Sequence, residues 1–168
     1  MNYLQVEKKN IPALVDEMNV VLANFQVYYQ KLRNFHWNIR GENFYELHEV
    51  FERMYTDAHQ KIDELAERIQ TLKYRPLSLM SKYLKTAEIE EYDGFVTDAE
   101  MMKMVLNDQS TLLQSINRAT DKAINAKDEG TLHLLRNFQL DIEKQSWMID
   151  MWLAKPVKTK EGESVSIV

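Results

Sequence analysis

The chain has 168 residues, no cysteine and a formal net charge of −5. This length fits one domain with a single core. The absence of cysteine excludes disulfides, thiolate metal sites and cysteine nucleophiles. The negative charge excludes a molecule-wide electrostatic footprint for nucleic acid, and the first residues contain no apolar run that suits a signal peptide or a membrane span. We therefore expect a soluble cytoplasmic protein that does not enter a membrane.

Few turns are available, because the sequence has only four glycines and three prolines, and we predict four long helices. The first should run from about Asn10, which can cap it, to Asn38. Apolar residues recur along it every three or four positions, which is helical periodicity. The second should run from Asn43, where Glu46 would complete a capping box, to about Tyr74.

A long connection over residues 76–96 follows, with a short helix predicted around "LSLMSKYLK". The third long helix should open with a capping box formed by Thr97 and Glu100 and continue to about Ala126. The fourth follows the break "KDEG" and should end around Ala154. Two short loops and one long connection therefore join the four helices.

That order of connections predicts an all-α fold. Up-down topology with one long crossover is seen in ferritin-like four-helix bundles. We expect one such domain over residues 1–154 and a mobile tail over residues 155–168, whose sequence has no core-forming pattern. Because a bundle can serve as an enzyme, a binding scaffold or a structural part, the function must be argued from a site.

The second helix carries a row of histidines and acids beside its apolar ladder. At about 100° per residue, the row covers roughly 100° of arc around the helix axis. It holds no lysine, although Lys61 and Arg68 lie nearby, so its charges repel one another unless a cation binds. A solvated charged face is the alternative interpretation. The row consists of His48, Glu52, His59, Asp63 and Glu67.

Distance decides how this row could bind a cation. His48 and Asp63 are separated by fifteen residues, or ~22 Å at ~1.5 Å per residue, whereas a metal–ligand bond is only about 2 Å. Two antiparallel copies of the helix, related by a two-fold axis, would bring the His48 end of one chain to the Asp63 end of the other. Glu52 and Glu67 would complete the two ends, and His36 could reach the His48 end from the first helix.

A di-iron site inside a single bundle is not expected. Such sites use Glu-x-x-His pairs from two helices. None of the four histidines has a glutamate three positions before it. Those positions hold Arg33, Tyr45, Thr56 and Gly130.

The segment "NFHWNIRGENFYELHEVFE", followed by "DELAERI", resembles the Dps proteins, miniferritins that protect DNA during starvation. The resemblance spans essentially all four helices. The spacing of five positions, 36, 48, 52, 63 and 67, matches the family's ferroxidase motif. It implies that His36, His48 and Glu52 come from one subunit, and that Asp63 and Glu67 come from its two-fold partner. Glu52 stands where the family usually has aspartate, and its additional methylene could weaken or alter the second iron position.

Two imidazoles and three carboxylates suit Fe(II), with Zn(II) and Mn(II) as competitors. Carboxylates stabilise the ferric product, so the site favours oxidation over retention of Fe(II). The resemblance implies hydrogen peroxide as the preferred oxidant and a ferric mineral inside a dodecameric shell. It also places Trp37 near the site as an electron donor, with packing at the dimer interface as the alternative. His59 lies outside the motif and is interpreted as a structural or surface histidine, with a supporting role beside the site as the alternative.

The resemblance further implies acidic pores on three-fold axes near the start of the fourth helix. Asp121, Asp128 and Glu129 are the candidates, because three copies of each would concentrate cations. Acids at a helix N-terminus also complement the helix dipole, which is the alternative reading.

Weak or absent DNA binding is predicted, because few phosphates could be neutralised by each subunit. Lys8 and Lys9 follow Glu7. Three further lysines lie near the end, with acids behind them; they are Lys155, Lys158 and Lys160, followed by Glu161 and Glu163. Two other classes of function stay open. One is a DNA-compacting protein with little iron turnover, and the other is a helical scaffold in which the histidine row is a polar interface.

Overall fold

A computed structural model of the chain describes residue 4 and residues 6–154, and this part is all-α. Four long helices form the bundle and a short helix lies in the crossover, as predicted. A single 3-10 turn, Lys8–Asn10, precedes the first helix. The helices are α1 (Ile11–Asn38), α2 (Phe44–Thr71), α3 (Met80–Thr86), α4 (Asp98–Asn125) and α5 (Glu129–Leu153).

The core lies between the long helices, with α1 packed against α2 and α4, and α4 packed against α5. Its largest fully buried side chains include Phe25, Phe35 and Phe51. Burial of an apolar side chain of this size contributes about 1.5–3 kcal/mol. The apolar ladder predicted for the second helix faces this core, which confirms its orientation. The buried members are Leu47, Phe51, Met54, Ala58, Leu65, Ile69 and Leu72.

Asn10 and Asn43 stand at the predicted N-cap positions, but their predicted capping hydrogen bonds are wrong. Neither Asn10 nor Asn43 accepts a hydrogen bond from its own helix. Each donates its side-chain amide to another part of the chain instead, Asn10 to the Asn125 carbonyl at 2.6 Å and Asn43 to an Asp98 carboxylate oxygen at 2.6 Å. The sequence could not show these partners, because they are distant along the chain.

The capping box predicted at the third long helix is confirmed. The Thr97 hydroxyl accepts from the Glu100 amide, and the Glu100 carboxylate accepts from the Thr97 amide. Together they satisfy donors that the first turn of α4 would leave unpaired. The box fixes where the chain leaves the crossover and enters the bundle.

None of the described helices is long and apolar enough to cross a membrane. The predicted tail over residues 155–168, with Lys155, Lys158 and Lys160, lies outside the described residues.

Candidate metal centre

Two histidines form a reciprocal pair where α1 ends and α2 begins. The rings of His36 and His48 stack with centroids 3.7 Å apart and planes 21° from parallel. The Nδ1 atom of His36 lies 2.8 Å from the His48 carbonyl oxygen, and the Nδ1 atom of His48 lies 2.9 Å from the His36 carbonyl oxygen. A carbonyl only accepts, so each Nδ1 must carry the hydrogen and donate. The lone pair of each neutral ring is therefore on Nε2, as metal binding requires.

The turn between the two helices brings this pair together. Gly41 has a φ of +106°, which glycine adopts without the steric cost that other residues meet. The turn sends α2 back along α1, so that His48 faces the last turn of α1. The Phe44 ring stacks on His48 at 5.1 Å, and the Tyr55 ring meets His36 edge-on at 5.3 Å. Aromatic rings thus hold the imidazole pair on both sides.

The carboxylates of the predicted site are exposed. Glu52 lies one turn beyond His48, and Asp63 and Glu67 lie one turn apart farther along α2. The Tyr55 hydroxyl donates to Glu52 Oε1 at 3.5 Å. Partial burial and the negative charge of Glu52 raise the pKa of Tyr55 above its ordinary value. Glu52 therefore has a defined neighbour at the histidine end of the helix.

Two of the cations near this row in the sequence, Lys61 and Arg68, are bound elsewhere. Lys61 is 4% exposed, and its ammonium donates to Asp57 at 2.6 Å and to Asp141 at 2.9 Å. Arg68 donates to Asp128 and, at 2.8 Å, to the Thr131 hydroxyl. Neither Lys61 nor Arg68 pairs with a carboxylate of the row.

One chain contains the candidate ligands but does not close them around an ion. Among the residues that the structure describes, no group of three or more histidine, aspartate, glutamate or cysteine side chains could hold a metal ion. His36, His48 and Glu52 lie at one end of α2, whereas Asp63 and Glu67 lie more than two turns of the helix away. The structure thus presents two separated partial sites on one helix.

Trp37 lies beside this region and is 57% exposed. The Arg33 guanidinium lies over its ring, 4.7 Å from the centroid. Its two predicted roles, electron donor and interface residue, stay predictions.

The three pore candidates differ in their surroundings. Asp128 is 2% exposed, accepts from the Thr131 amide at 3.1 Å and pairs with Arg68. It caps α5, which favours the alternative reading for this residue. Asp121 and Glu129 are exposed, and a pore role for them stays a prediction.

Sequence reasoning did not find the polar contacts inside the bundle. Gln109 donates to the Tyr28 hydroxyl at 3.1 Å and to Gln145 at 3.3 Å, and Gln145 donates to Asp57 at 3.1 Å. Lys31 pairs with Asp108 at 2.7 Å, and both side chains are nearly inaccessible. The only signal in the sequence was the spacing of Asp57 and Lys61, four residues apart on one helix.

Burial raises the pKa of the Asp108 carboxyl, and the neighbouring Lys31 ammonium opposes that change only in part. The effect of desolvation on the Asp108 pKa is thus larger than the opposing effect of the Lys31 ammonium. The pKa of the Tyr28 phenol is also raised, chiefly by burial.

The ferritin family, described by its ferritin-like domain, matches residues 15–157. The DNA protection during starvation protein of Brevibacillus brevis is 40% identical over 136 residues, which cover 81% of this chain and 91% of that protein. This chain belongs to the Dps family of ferritin-like proteins. The resemblance found in the sequence is thereby confirmed.

Solved Dps structures share the fold over nearly their whole length. Dps of Vibrio cholerae O1 is 39% identical, with a TM-score of 0.88 over 92% of this chain and 97% of that one. It is described as a member of a broad superfamily of ferritin-like diiron-carboxylate proteins. Dps of Bacillus brevis is 38% identical, with a TM-score of 0.85 over 87% of this chain and 98% of that one.

Proposed function

We propose that this Dps chain oxidises Fe(II) with hydrogen peroxide at sites shared between two-fold-related subunits. Ferric mineral is then stored inside a hollow dodecameric shell in the cytoplasm, which protects the cell against oxidative damage. The observation that carries the proposal is the reciprocal bonding of His36 and His48. It leaves two Nε2 lone pairs at one end of an acidic row, in which the next acid after Glu52, Asp63, lies ~22 Å from His48 along the helix. The diiron-carboxylate description of the Vibrio cholerae relative supports iron as the metal.

Each residue has a chemical task in this reaction, in which iron is the substrate. The Nε2 atoms of His36 and His48 bind Fe(II), for which imidazole is a suitable ligand. Glu52 of the same chain, with Asp63 and Glu67 of the partner subunit, supplies the negative charge that stabilises Fe(III). Peroxide takes one electron from each of two Fe(II) ions and two protons, and its O–O bond breaks to give two waters. Zn(II) or Mn(II) would compete for the same ligands.

Complementation between two variants tests the shared site. One variant carries His36→Ala and His48→Ala, and the other carries Asp63→Ala and Glu67→Ala. Each variant alone should be inactive. In a mixed dimer, one site collects every defect, whereas the other combines an intact histidine half with an intact acidic half. Co-assembly should therefore restore peroxide-dependent Fe(II) oxidation at up to about half of the sites in each mixed dimer.

The oligomer size of each variant and of the mixture is the control, since the test requires assembly. If both variants assemble together and the mixture stays as inactive as its components, each chain holds its own site and the proposal is wrong. A mixture of the double histidine variant with itself, prepared in the same way, measures the background.

We also propose that DNA binding is weak or absent. Lys127, near the start of α5, is exposed but pairs with Glu7 at 2.9 Å, so it is less available to a phosphate. Phosphate neutralisation supplies most non-specific affinity, although many copies on one shell would help at low salt. A gel shift across salt concentrations measures the affinity. Tight binding at physiological salt that disappears when residues 155–168 are deleted would contradict the proposal.

A further inference from the structure

One tyrosine has direct contacts with the candidate ligands of both chemical types. The Tyr55 ring meets His36 edge-on at 5.3 Å, and its hydroxyl donates to Glu52 Oε1 at 3.5 Å. A second tyrosine, Tyr29, lies 6.0 Å from it, again edge-on. Trp37, which the family resemblance favours as an electron donor, instead packs its ring against the Arg33 guanidinium. The Phe44 ring lies slightly closer, 5.1 Å from His48, but it has no hydroxyl, so Tyr55 is the candidate hydrogen-atom donor.

We propose that Tyr55 is a redox-active residue that donates a hydrogen atom when the site holds a single Fe(II). The inference rests on the proposed function, because it concerns an incomplete turn of the same reaction. One Fe(II) gives only one electron, so peroxide splits into hydroxide and a hydroxyl radical. The radical takes the hydrogen atom of the Tyr55 hydroxyl and becomes water, leaving a tyrosyl radical. A second Fe(II), with one proton, later restores the tyrosine and becomes Fe(III).

Charge favours Tyr55 over Trp37 as this donor. A positive charge over an aromatic ring opposes the loss of an electron from that ring, whereas a neighbouring negative charge favours it. The Arg33 guanidinium lies 4.7 Å from the centre of the Trp37 ring and 5.3 Å from that of Tyr29. Arg33 also acts on Tyr55, but less strongly than the Glu52 carboxylate, which lies beside the Tyr55 hydroxyl. The Tyr55 hydroxyl, which would give up the hydrogen atom, also faces the predicted ligand Glu52.

A freeze-quench electron paramagnetic resonance experiment tests this assignment. The whole wild-type protein is loaded anaerobically with one Fe(II) per site, mixed with hydrogen peroxide and frozen. Protein labelled with ring-deuterated tyrosine should change the hyperfine structure of the radical signal, which identifies it as tyrosyl. Tyr55→Phe should lose that signal and release several-fold more hydroxyl radical to a small spin trap. The signal should persist in Trp37→Phe.

Tyr74→Phe is the matched control, because Tyr74 is a tyrosine beyond the last turn of α2 and is 38% exposed. It should behave as the wild type. A tyrosyl signal that persists in Tyr55→Phe, or that Trp37→Phe abolishes, would overturn the inference.

A second measurement needs no variant. A spin trap that attacks protein radicals should leave its adduct on Tyr55 of the wild-type chain, as mapped by peptide mass spectrometry. Adducts confined to Trp37 would overturn the inference. Peroxide-dependent iron oxidation without any tyrosyl radical would overturn it too, and would leave the proposed function standing. If the wild type does not oxidise Fe(II) with peroxide, the proposed function fails and this inference fails with it.

Discussion

The ion pairs inside the bundle and the acidic row on α2 use the same residue types in opposite ways. Buried Asp108 pairs with Lys31, and half-buried Asp57 pairs with Lys61. On the row, Asp63 and Glu67 lie exposed while the nearby Lys61 and Arg68 bind other partners. In the described part of the chain, these two structural acids have cations beside them, whereas Lys61 and Arg68 pair with none of the acids of the row.

This difference separates structural charges from candidate functional ones. A completed ion pair needs nothing further, and its loss should affect folding. Acids that repel one another along a helix cost some stability, and a cation bound from outside the chain would relieve that cost. Substitution of an ion-paired acid should therefore lower stability, whereas substitution of an acid of the row should lower activity and slightly raise stability.

The largest effect is expected for the buried pair. Asp108→Ala leaves the Lys31 ammonium, whose side chain is 8% exposed, without its carboxylate. Breaking one partner of a buried pair lowers the free energy of unfolding by about 3–5 kcal/mol. Denaturant unfolding at fixed protein concentration measures the loss. The double change Asp108→Leu with Lys31→Met should recover most of it, and a loss below about 1 kcal/mol in Asp108→Ala would show that the pair is not structural.

The next effect concerns activity. His48→Ala removes a proposed nitrogen ligand and also the partner of the His36 ring, so peroxide-dependent Fe(II) oxidation should fall by at least about 100-fold. His59→Ala is the matched control, because His59 lies on the same row, is exposed and is outside the proposed ligand set. Stopped-flow absorbance of the ferric product measures both. Equal losses in the two variants would mean that the row acts as a general acidic surface.

A smaller effect should appear in stability without metal. Asp63 and Glu67 are like charges four residues apart, a spacing that costs about 0.2–0.5 kcal/mol on a helix. Asp63→Asn should raise the free energy of unfolding of the metal-free protein by about this amount, while it abolishes iron oxidation.

Asp57→Asn, on the same helix, should instead lower the free energy of unfolding by a few tenths of a kcal/mol, since it weakens a partly exposed pair with Lys61. Thermal unfolding of both variants gives the sign. If both substitutions change the free energy of unfolding in the same direction, Asp63 and Asp57 do not differ in the way proposed.

The smallest effect expected is on the pH dependence of the free energy of unfolding, for which Glu100 and Asp108 should show opposite trends. Hydrogen bonds from the Thr97 amide and hydroxyl lower the pKa of Glu100 below its ordinary 4.5. Its contribution to stability is complete above pH 4.5 and is lost as the pH falls through the lowered value. The stability difference between the wild type and Glu100→Gln should therefore shrink on acidification.

Burial raises the pKa of Asp108 above its ordinary 3.8, which reverses the sign. The folded chain takes up this proton before the unfolded chain does, so the wild type gains stability relative to Asp108→Ala as the pH falls through the raised value. Unfolding of the Asp108 variant at several pH values above 3.8, and of the Glu100 variant at pH values from above 4.5 downwards, checks the two trends. A difference that shrinks for Asp108→Ala would contradict the stated direction.

Periodicity and local signals predicted most of the fold. Four long helices, the short helix in the crossover and the Thr97 capping box all depend on residues within a few positions of one another, so the sequence alone shows them. The capping hydrogen bonds predicted at Asn10 and Asn43 were wrong for the opposite reason. An asparagine side chain can donate as well as accept, and its choice depends on a distant carbonyl or carboxylate.

The candidate site divides in the same way. Spacing along α2 identified the acidic row and the ~22 Å separation that one chain cannot bridge, because a helix has a fixed rise per residue. Only the tertiary structure decided that Lys61 and Arg68 turn away from that row, that Asp128 caps α5, and that His36 and His48 fix each other's Nε2 lone pairs. These outcomes depend on hydrogen bonds between side chains and groups on other helices, whose distances are set by the packing of the bundle and not by position in the sequence.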